Sequence, residues 1–233
     1  MTNYDNLPLF PLHVVLFPDM PLPLHIFEPR YREMILRCRE ERSQFGVTLI
    51  GNRSDHNEGA AAHQIGTTAR ITQYEELPDG RMNILVFGET RFEIIQTYQD
   101  QPYLSAQVQP FGDEVRDPYH LQETVDTVKH LFRTYLQSLL AMTGRSLSNL
   151  QLPSEPENLT YAIASVLQVP LPEKQSLLEM TVTEERLSRE MEILRQEIEV
   201  QESFQEFLGL SSQSDSPAYP VDTQELAKLA SRN

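Results

Sequence analysis

The hydrophobic period of this 233-residue chain changes once, near residue 111, and that change governs what it can fold into. Before it, apolar residues come in short β-branched and aromatic runs broken by turn residues. After it, they recur at steps of three and four. Strands are therefore expected in the first half and helices in the second, an α+β organisation rather than alternating βαβ units. Charge shifts at the same place. Residues 1–110 hold 14 acids and 9 bases, all arginine, for 9 − 14 = −5; residues 111–233 hold 20 acids and 10 bases, for 10 − 20 = −10.

In the first half the runs Leu12–Phe17 and Leu22–Phe27 flank the turn Pro18-Asp19-Met20-Pro21. Pro8, Pro11, Pro21 and Pro23 donate no ladder hydrogen bonds, so these strands are expected to be short, irregular or at sheet edges. A helix is expected over Pro29–Glu41, with Tyr31, Met34, Ile35 and Cys38 on one stripe among arginines. Strands follow at Phe45–Ile50, Thr67–Leu77, Arg81–Phe87, Thr90–Tyr98 and Tyr103–Val108, with Gly51–His63 as an exposed loop, Pro78-Asp79-Gly80 as a turn and Gly88 as an interruption. Six or seven short strands with one helix imply a partly closed barrel.

In the second half Asp117-Pro118 reads as an N-cap and first-turn proline. Behind it Leu121, Val125, Val128, Phe132, Tyr135, Leu139 and Met142 form a seam that Gly144 closes. A helix over Pro156–Gln168 is expected to open with a capping box, Ser154 with Glu157. Pro170 and Pro172 start a short helix through Lys174–Met180. Thr183 then caps a long helix with the seam Leu187, Met191, Leu194 and Ile198, ended by Gly209. Glu184, Glu185, Glu190, Glu192, Glu197, Glu199, Glu202 and Glu206 read as its solvated face. The domain reading is thus 1–111 barrel, 112–209 helical bundle ending in a long helix, and 210–233 flexible tail.

A net charge of −15 disfavours nucleic acid and anionic membrane surfaces as partners. No apolar run reaches the roughly 18–20 residues a membrane span needs. The first residues lack the pattern of a signal peptide, so a cytoplasmic location is expected. A single cysteine, Cys38, excludes a disulfide framework, and its place on the apolar stripe favours a buried, inert thiol. There is no phosphate-binding glycine loop, no paired Cys/His metal pattern and no nucleophile elbow, so no catalytic residue, cofactor or metal is assigned. His13 and His25 read as hydrogen-bonded structural histidines.

Two stretches are specific enough to carry a resemblance. LPLFPLHVVLFPDMPLPLHIFEPRYREMI, Leu7–Ile35, with its leucine-proline pairs and Ile26-Phe27-Glu28-Pro29-Arg30-Tyr31, closely resembles the start of the N-terminal domain of Lon proteases. Ala69-Arg70-Ile71, Leu77-Pro78-Asp79-Gly80-Arg81, Gly88 with Arg91-Phe92, and Tyr103-Leu104-x-Ala106 are similar to that domain's later strands. Pro170–Glu199 is similar to its helical part. The resemblance implies a PUA-like β pseudo-barrel followed by an α-helical bundle, a region that in the family recognises and holds substrate polypeptides. The sequence reaches Asn233 without the family's ATPase and Ser–Lys peptidase modules, so the chain is expected to be a stand-alone, non-catalytic module.

The function expected is a receptor, adaptor or regulator in protein quality control. Its partners would be unfolded or extended polypeptides and a separate ATP-dependent protease or chaperone. The alternatives are a small-ligand or nucleic-acid binder of the same barrel type, or an enzyme with an unrecognised site. Glu28, Pro29, Arg30 and Tyr31 are read as fastening the helix to the barrel through charge-assisted hydrogen bonds, Asp79 and Gly80 as turn chemistry, and Arg91 as structural. Met20, Tyr74 and Leu77 are the candidate peptide-contact residues. The proline-rich strands imply irregular edges that accept an extended chain, and the net charge favours neutral or basic clients.

Overall fold

The computed structural model describes residues 4–51, 62–116, 118–141 and 150–207. Among them six strands, β1 (Tyr4–Leu12), β2 (Pro21–Ile26), β3 (Phe45–Ile50), β4 (Ala62–Glu76), β5 (Met82–Tyr98) and β6 (Ser105–Pro110), enclose one helix in the chain order, α1 (Pro29–Glu41). Helices α2 (Pro118–Ala141), α3 (Pro156–Val166), α4 (Leu171–Glu179) and α5 (Thr183–Phe207) follow. The sheet order is β2-β5-β4-β3-β1-β6, and β5 also pairs with β6. Five strands therefore close a circuit, with β2 outside it. This is the α+β pseudo-barrel with one inserted helix that the strand pattern implied.

β5 makes the closure. Its first part, Met82–Phe87, lies between β2 and β4, and its second, Phe92–Tyr98, pairs with β6. The sequence reading broke this strand at Gly88, whereas the strand runs through it. A Cβ on Gly88 would sit 2.2 Å from the Phe17 carbonyl oxygen, so glycine there admits a close backbone approach rather than a break. Two backbone bonds, from Asp19 N–H to the Gly88 carbonyl and from Gly88 N–H to the Met20 carbonyl, fasten the same spot.

The first strand also differs from expectation. β1 ends at Leu12, and Val14–Phe17 pair with no strand although Val15, Leu16 and Phe17 are buried. Despite Pro8 and Pro11, β1 lies inside the sheet. The pairing hands over along its length: Tyr4–Pro8 against β6, then Leu9–Leu12 parallel to β3. Each half pairs on one side only, and the register against β6 shifts between Tyr4 and Leu7, the irregularity expected of a strand that carries prolines. Leu7 and Leu9 pack with Phe92, Ala106 and Val108 in the barrel core.

The chain forms two compact units. One comprises the residues up to Gly112 together with Gln168–Thr181; the other comprises Asp113–Leu167 and the residues from Val182. The division is not the single cut at 111 drawn from the sequence. Residues 168–181, read there as part of the helical bundle, belong with the strands. The cause is polar fastening that no periodicity reports. Arg91, 2% exposed, donates to the carbonyls of Leu178, Met180 (2.7 Å) and Gly112 (3.1 Å) and lies over the Phe111 ring. Gln175 Nε2 donates to the Ile65 carbonyl at 3.1 Å.

In the helical unit α2 buries Leu121, Val125, Val128, Phe132 and Tyr135, then Leu136 and Leu140, while Leu139 is half-buried. A 3.6-residue helix drifts off a strict 3.5 repeat over this length, which moves the buried stripe by one residue. Two expected caps are not made by side chains. The N-cap of α3 is Glu155, without a side-chain capping bond, rather than Ser154. Thr183 Oγ1 is buried and caps nothing; its N–H instead donates to the Glu114 carbonyl at 3.0 Å. The acidic face of α5 also needs correction. Glu190 is fully buried and lies four residues from the buried Arg186. Asp117, Met142, Gly144, Gly209, residues 52–61 and the segment 210–233 lie outside the described residues.

Candidate functional site

α1 begins where Pro29 fixes φ at the first helical position, after Glu28, whose carbonyl accepts from the Tyr31 and Arg32 N–H groups. It ends at Arg42 in the left-handed region, φ 51°, with the Ser43 N–H returned to the Cys38 carbonyl. Glycine is the residue at ease there, so an arginine in this place carries backbone strain. Around the last turn of α1 lies a cavity of about 340 Å³, lined by Cys38, Arg39, Arg42, Ser43 and the β4 residues Arg70–Tyr74. A second cavity of about 310 Å³ shares Arg42 and Ser43 and reaches Asn6–Pro8, Arg37, Gln44, Tyr103 and Ser105.

The charged groups here are held unequally. Arg37 donates to Glu41 at 2.9 Å and to the Tyr103 hydroxyl at 3.4 Å. Arg70 pairs with Glu89. Arg39 lies 4.2 Å over the Tyr74 ring, while Arg39 and Arg42 make no ion pair among the described residues. Burial, then the Glu76 carboxylate, raise the Tyr74 hydroxyl pKa, and Arg39 opposes them. Burial pushes the Cys38 thiol up to about 11, which keeps it protonated and unreactive at neutral pH. Ser105 Oγ, in the second cavity, is buried with no hydrogen-bond partner.

Of the three candidate contact residues, Tyr74 lines a cavity. Met20 is 3% exposed, enclosed where the Val15–Phe17 segment meets β5, and cannot present a surface. Leu77 is half-buried in the β4–β5 turn, its N–H bonded to the Arg81 carbonyl at 2.8 Å. That turn is as the sequence implied. Gly80 has φ 78°, and the Asp79 carboxylate accepts from Arg81 N–H at 3.1 Å and Nε at 2.6 Å. The Arg81 N–H, more than its side chain, holds the Asp79 carboxyl below its ordinary value.

The motif Glu28-Pro29-Arg30-Tyr31 works differently from its expected role. Arg30 pairs with Glu28 at 2.8 Å, both about half exposed, so the ion pair stays within the motif. Tyr31 makes the link to the barrel, its ring 4.2 Å from that of Phe10 on β1. His25 does hydrogen-bond Asn83 at 2.8 Å, but it is exposed, as is His13. Sequence reading missed Arg39, Arg42 and Arg70. Five arginines between Arg30 and Arg42 were the available signal, read instead as the polar side of an amphipathic helix. Among the described residues no three His, Cys, Asp or Glu side chains gather as metal ligands, and no helix is long and apolar enough to cross a membrane.

Comparison with known proteins places the chain. Residues 6–196 match the family model of the ATP-dependent protease La (LON) substrate-binding domain. Lon protease of Xanthomonas oryzae pv. oryzae is 29% identical over 202 residues, 84% of this chain and 24% of that protein. Lon protease of Anaeromyxobacter dehalogenans is 26% identical over 213 residues, again covering 24% of its length. The chain thus spans about a quarter of these curated relatives. Among solved structures, the Lon N-terminal domain protein from Xanthomonas campestris superposes with a TM-score of 0.58 at 25% identity, covering 80% of this chain and 96% of that one. The N-terminal domain of Mycobacterium avium complex Lon protease has the same fold, with a TM-score of 0.64, 18% identity and coverage of 82% and 98%.

Proposed function

The chain belongs to the family of the ATP-dependent protease La (LON) substrate-binding domain, and on that premise we propose that it is a non-catalytic receptor for unfolded or extended polypeptides. The carrying observation is the reach of the family match, which takes in strands and helices of both units. The receptor acts as an adaptor or regulator in protein quality control, in the cytoplasm, presenting clients to a separate ATP-dependent protease or chaperone. Affinity for a flexible segment is expected to be micromolar at best, because ordering the bound chain consumes much of the contact energy.

The test is an array of overlapping peptides from a denatured protein, with the best binders titrated in solution. Binding of extended peptides supports the reading. Binding of duplex RNA or a metabolite with no peptide bound below millimolar concentration would overturn it. Capture from lysate, with partners identified by mass, tests the adaptor role: recovery of a protease or chaperone supports it, and recovery of client chains alone argues against it.

A further inference from the structure

The barrel is open along part of β4. β3 begins at Phe45, opposite Ala69, so the stretch Arg70–Glu76 has β5 on one side and no strand on the other among the described residues. Such an edge presents unpaired backbone N–H and C=O groups and templates an added strand. The cavity beside the last turn of α1 runs along Arg70–Tyr74. β2 is a further edge of the sheet, and it is blunted, since Pro21 and Pro23 lack N–H groups. Arg70, Thr72 and Gln73 are exposed, and no proline interrupts Arg70–Glu76.

The cavity lining opposes the charge of the whole chain, while the edge's own acids, Glu75 and Glu76, lie beyond that lining at its far end. The sequence carries −15, yet Arg39, Arg42 and Arg70 line the cavity. Arg70 is already neutralised by Glu89, while Arg39 and Arg42 carry no ion pair among the described residues. Arg42 holds a left-handed backbone position that glycine would fill without strain.

We propose that the open edge of β4, Arg70–Glu76, receives an extended polypeptide segment bearing carboxylate side chains, paired to the strand through its backbone and to Arg39 and Arg42 through its acids. This deepens the receptor reading and rests on it. It reverses the client preference drawn from net charge: whole-chain repulsion acts at long range and is screened, whereas guanidinium–carboxylate pairs act in contact. Arginine suits the task, since its planar fork meets a carboxylate in bidentate geometry. Tyr74, with Arg39 on one face, supplies an apolar wall to the same groove.

The experiment titrates the full chain with fluorescein-labelled peptides of about ten residues, built from Val, Thr and Gly with spaced aspartates or spaced lysines, at low salt and near 0.3 M salt. A contact ion pair in a confined groove implies that the aspartate peptide binds about tenfold tighter or more, and that salt weakens it. Arg42→Gly, which relieves the left-handed strain and leaves the fold intact, should remove most of that advantage. N-methylation of alternate residues in the aspartate peptide should weaken binding by a similar factor, because it deletes the strand-pairing donors. A lysine peptide that binds tighter, or an aspartate peptide that tightens with salt, would overturn the proposal in favour of whole-chain charge. Peptides that bind regardless of charge, of Arg42→Gly and of N-methylation would also overturn it while leaving the receptor reading intact. Absence of binding by peptides of any charge would remove the receptor reading and this proposal together.

Discussion

The two units hold the same trio of side chains, an arginine, a carboxylate and a tyrosine, in opposite surroundings. In the barrel unit Arg30 pairs with Glu28 and lies 4.5 Å over the Tyr31 ring, with arginine and glutamate about half exposed. In the helical unit Arg186 pairs with Asp113 and lies 4.5 Å over the Tyr161 ring, with arginine and aspartate almost fully buried. The Tyr161 hydroxyl also donates to Asp113, and Arg186 Nε donates to Thr160 Oγ1 at 2.8 Å. Composition and ring distance are the same; water is what differs. An exposed pair exchanges good hydration for a modest Coulomb gain, whereas a buried pair has given up its hydration and depends on its partners.

The largest effect expected is at the buried trio. Arg186→Met leaves the Asp113 carboxylate buried without its cation and should cost about 3–5 kcal/mol in denaturant unfolding. The double variant Arg186→Met, Asp113→Leu should recover much of that loss, since neither member of the pair is then left without its counter-charge. A single-variant loss below about 1 kcal/mol would show that burial does not weight this pair as argued. Arg91→Met comes next. It strips a donor from three carbonyls and should cost about 1–3 kcal/mol, with faster amide exchange in Leu171–Glu179 as the local sign. Arg91→Lys should not rescue it, because one ammonium cannot reproduce a planar fork over the Phe111 ring.

Glu190 tests the same contrast through pH. Burial raises its pKa well above the ordinary 4.5, against the opposing charge of Arg186, and neither oxygen has a hydrogen-bond partner among the described residues. The folded state therefore keeps a proton that the unfolded chain releases. Its contribution is complete below the ordinary value and is lost as pH rises through the folded one. Glu190→Gln, neutral at every pH, should be more stable than the parent near pH 8 by about 1–3 kcal/mol, the range for an uncompensated buried polar group. The difference should shrink as pH falls toward 5. A gap that does not change with pH would mean that Glu190 does not titrate with folding.

These contrasts explain what the sequence made legible. Strand and helix periods record burial along one element, so the α+β class, α1 to its last residue and the β4–β5 turn followed from local pattern. The Glu28–Arg30–Tyr31 trio was visible because it is contiguous. The Asp113–Tyr161–Arg186 trio comes from three distant places and left no pattern; Glu190 was read as solvated because seven other acids of α5 surround it in sequence. The assignment of α4 to the strands depends on carbonyls reached by Arg91, which no composition reports. The open edge of β4 was missed for a similar reason. It is defined by where β3 starts relative to Ala69, a register property rather than a residue property.

The smallest effect is the one that decides whether a recognisable motif carries stability. Arg30→Ala removes an ion pair whose members are 50% and 40% exposed, together with a ring contact on a tyrosine already anchored against Phe10. Solvent screens the pair and side-chain entropy opposes it, so the change should lie within about 0.5 kcal/mol. The readable consequence is elsewhere. Burial raises the Tyr31 hydroxyl pKa, Arg30 opposes that shift and Glu28 adds to it, so losing Arg30 should move the tyrosine titration further up while unfolding stays put. An unfolding loss above about 2 kcal/mol would break the comparison, because it would give an exposed trio the weight of a buried one. A null result on both readouts would show that the arginine at this place contributes through neither charge nor ring, leaving Tyr31 against Phe10 as the contact by which this motif helps seat α1.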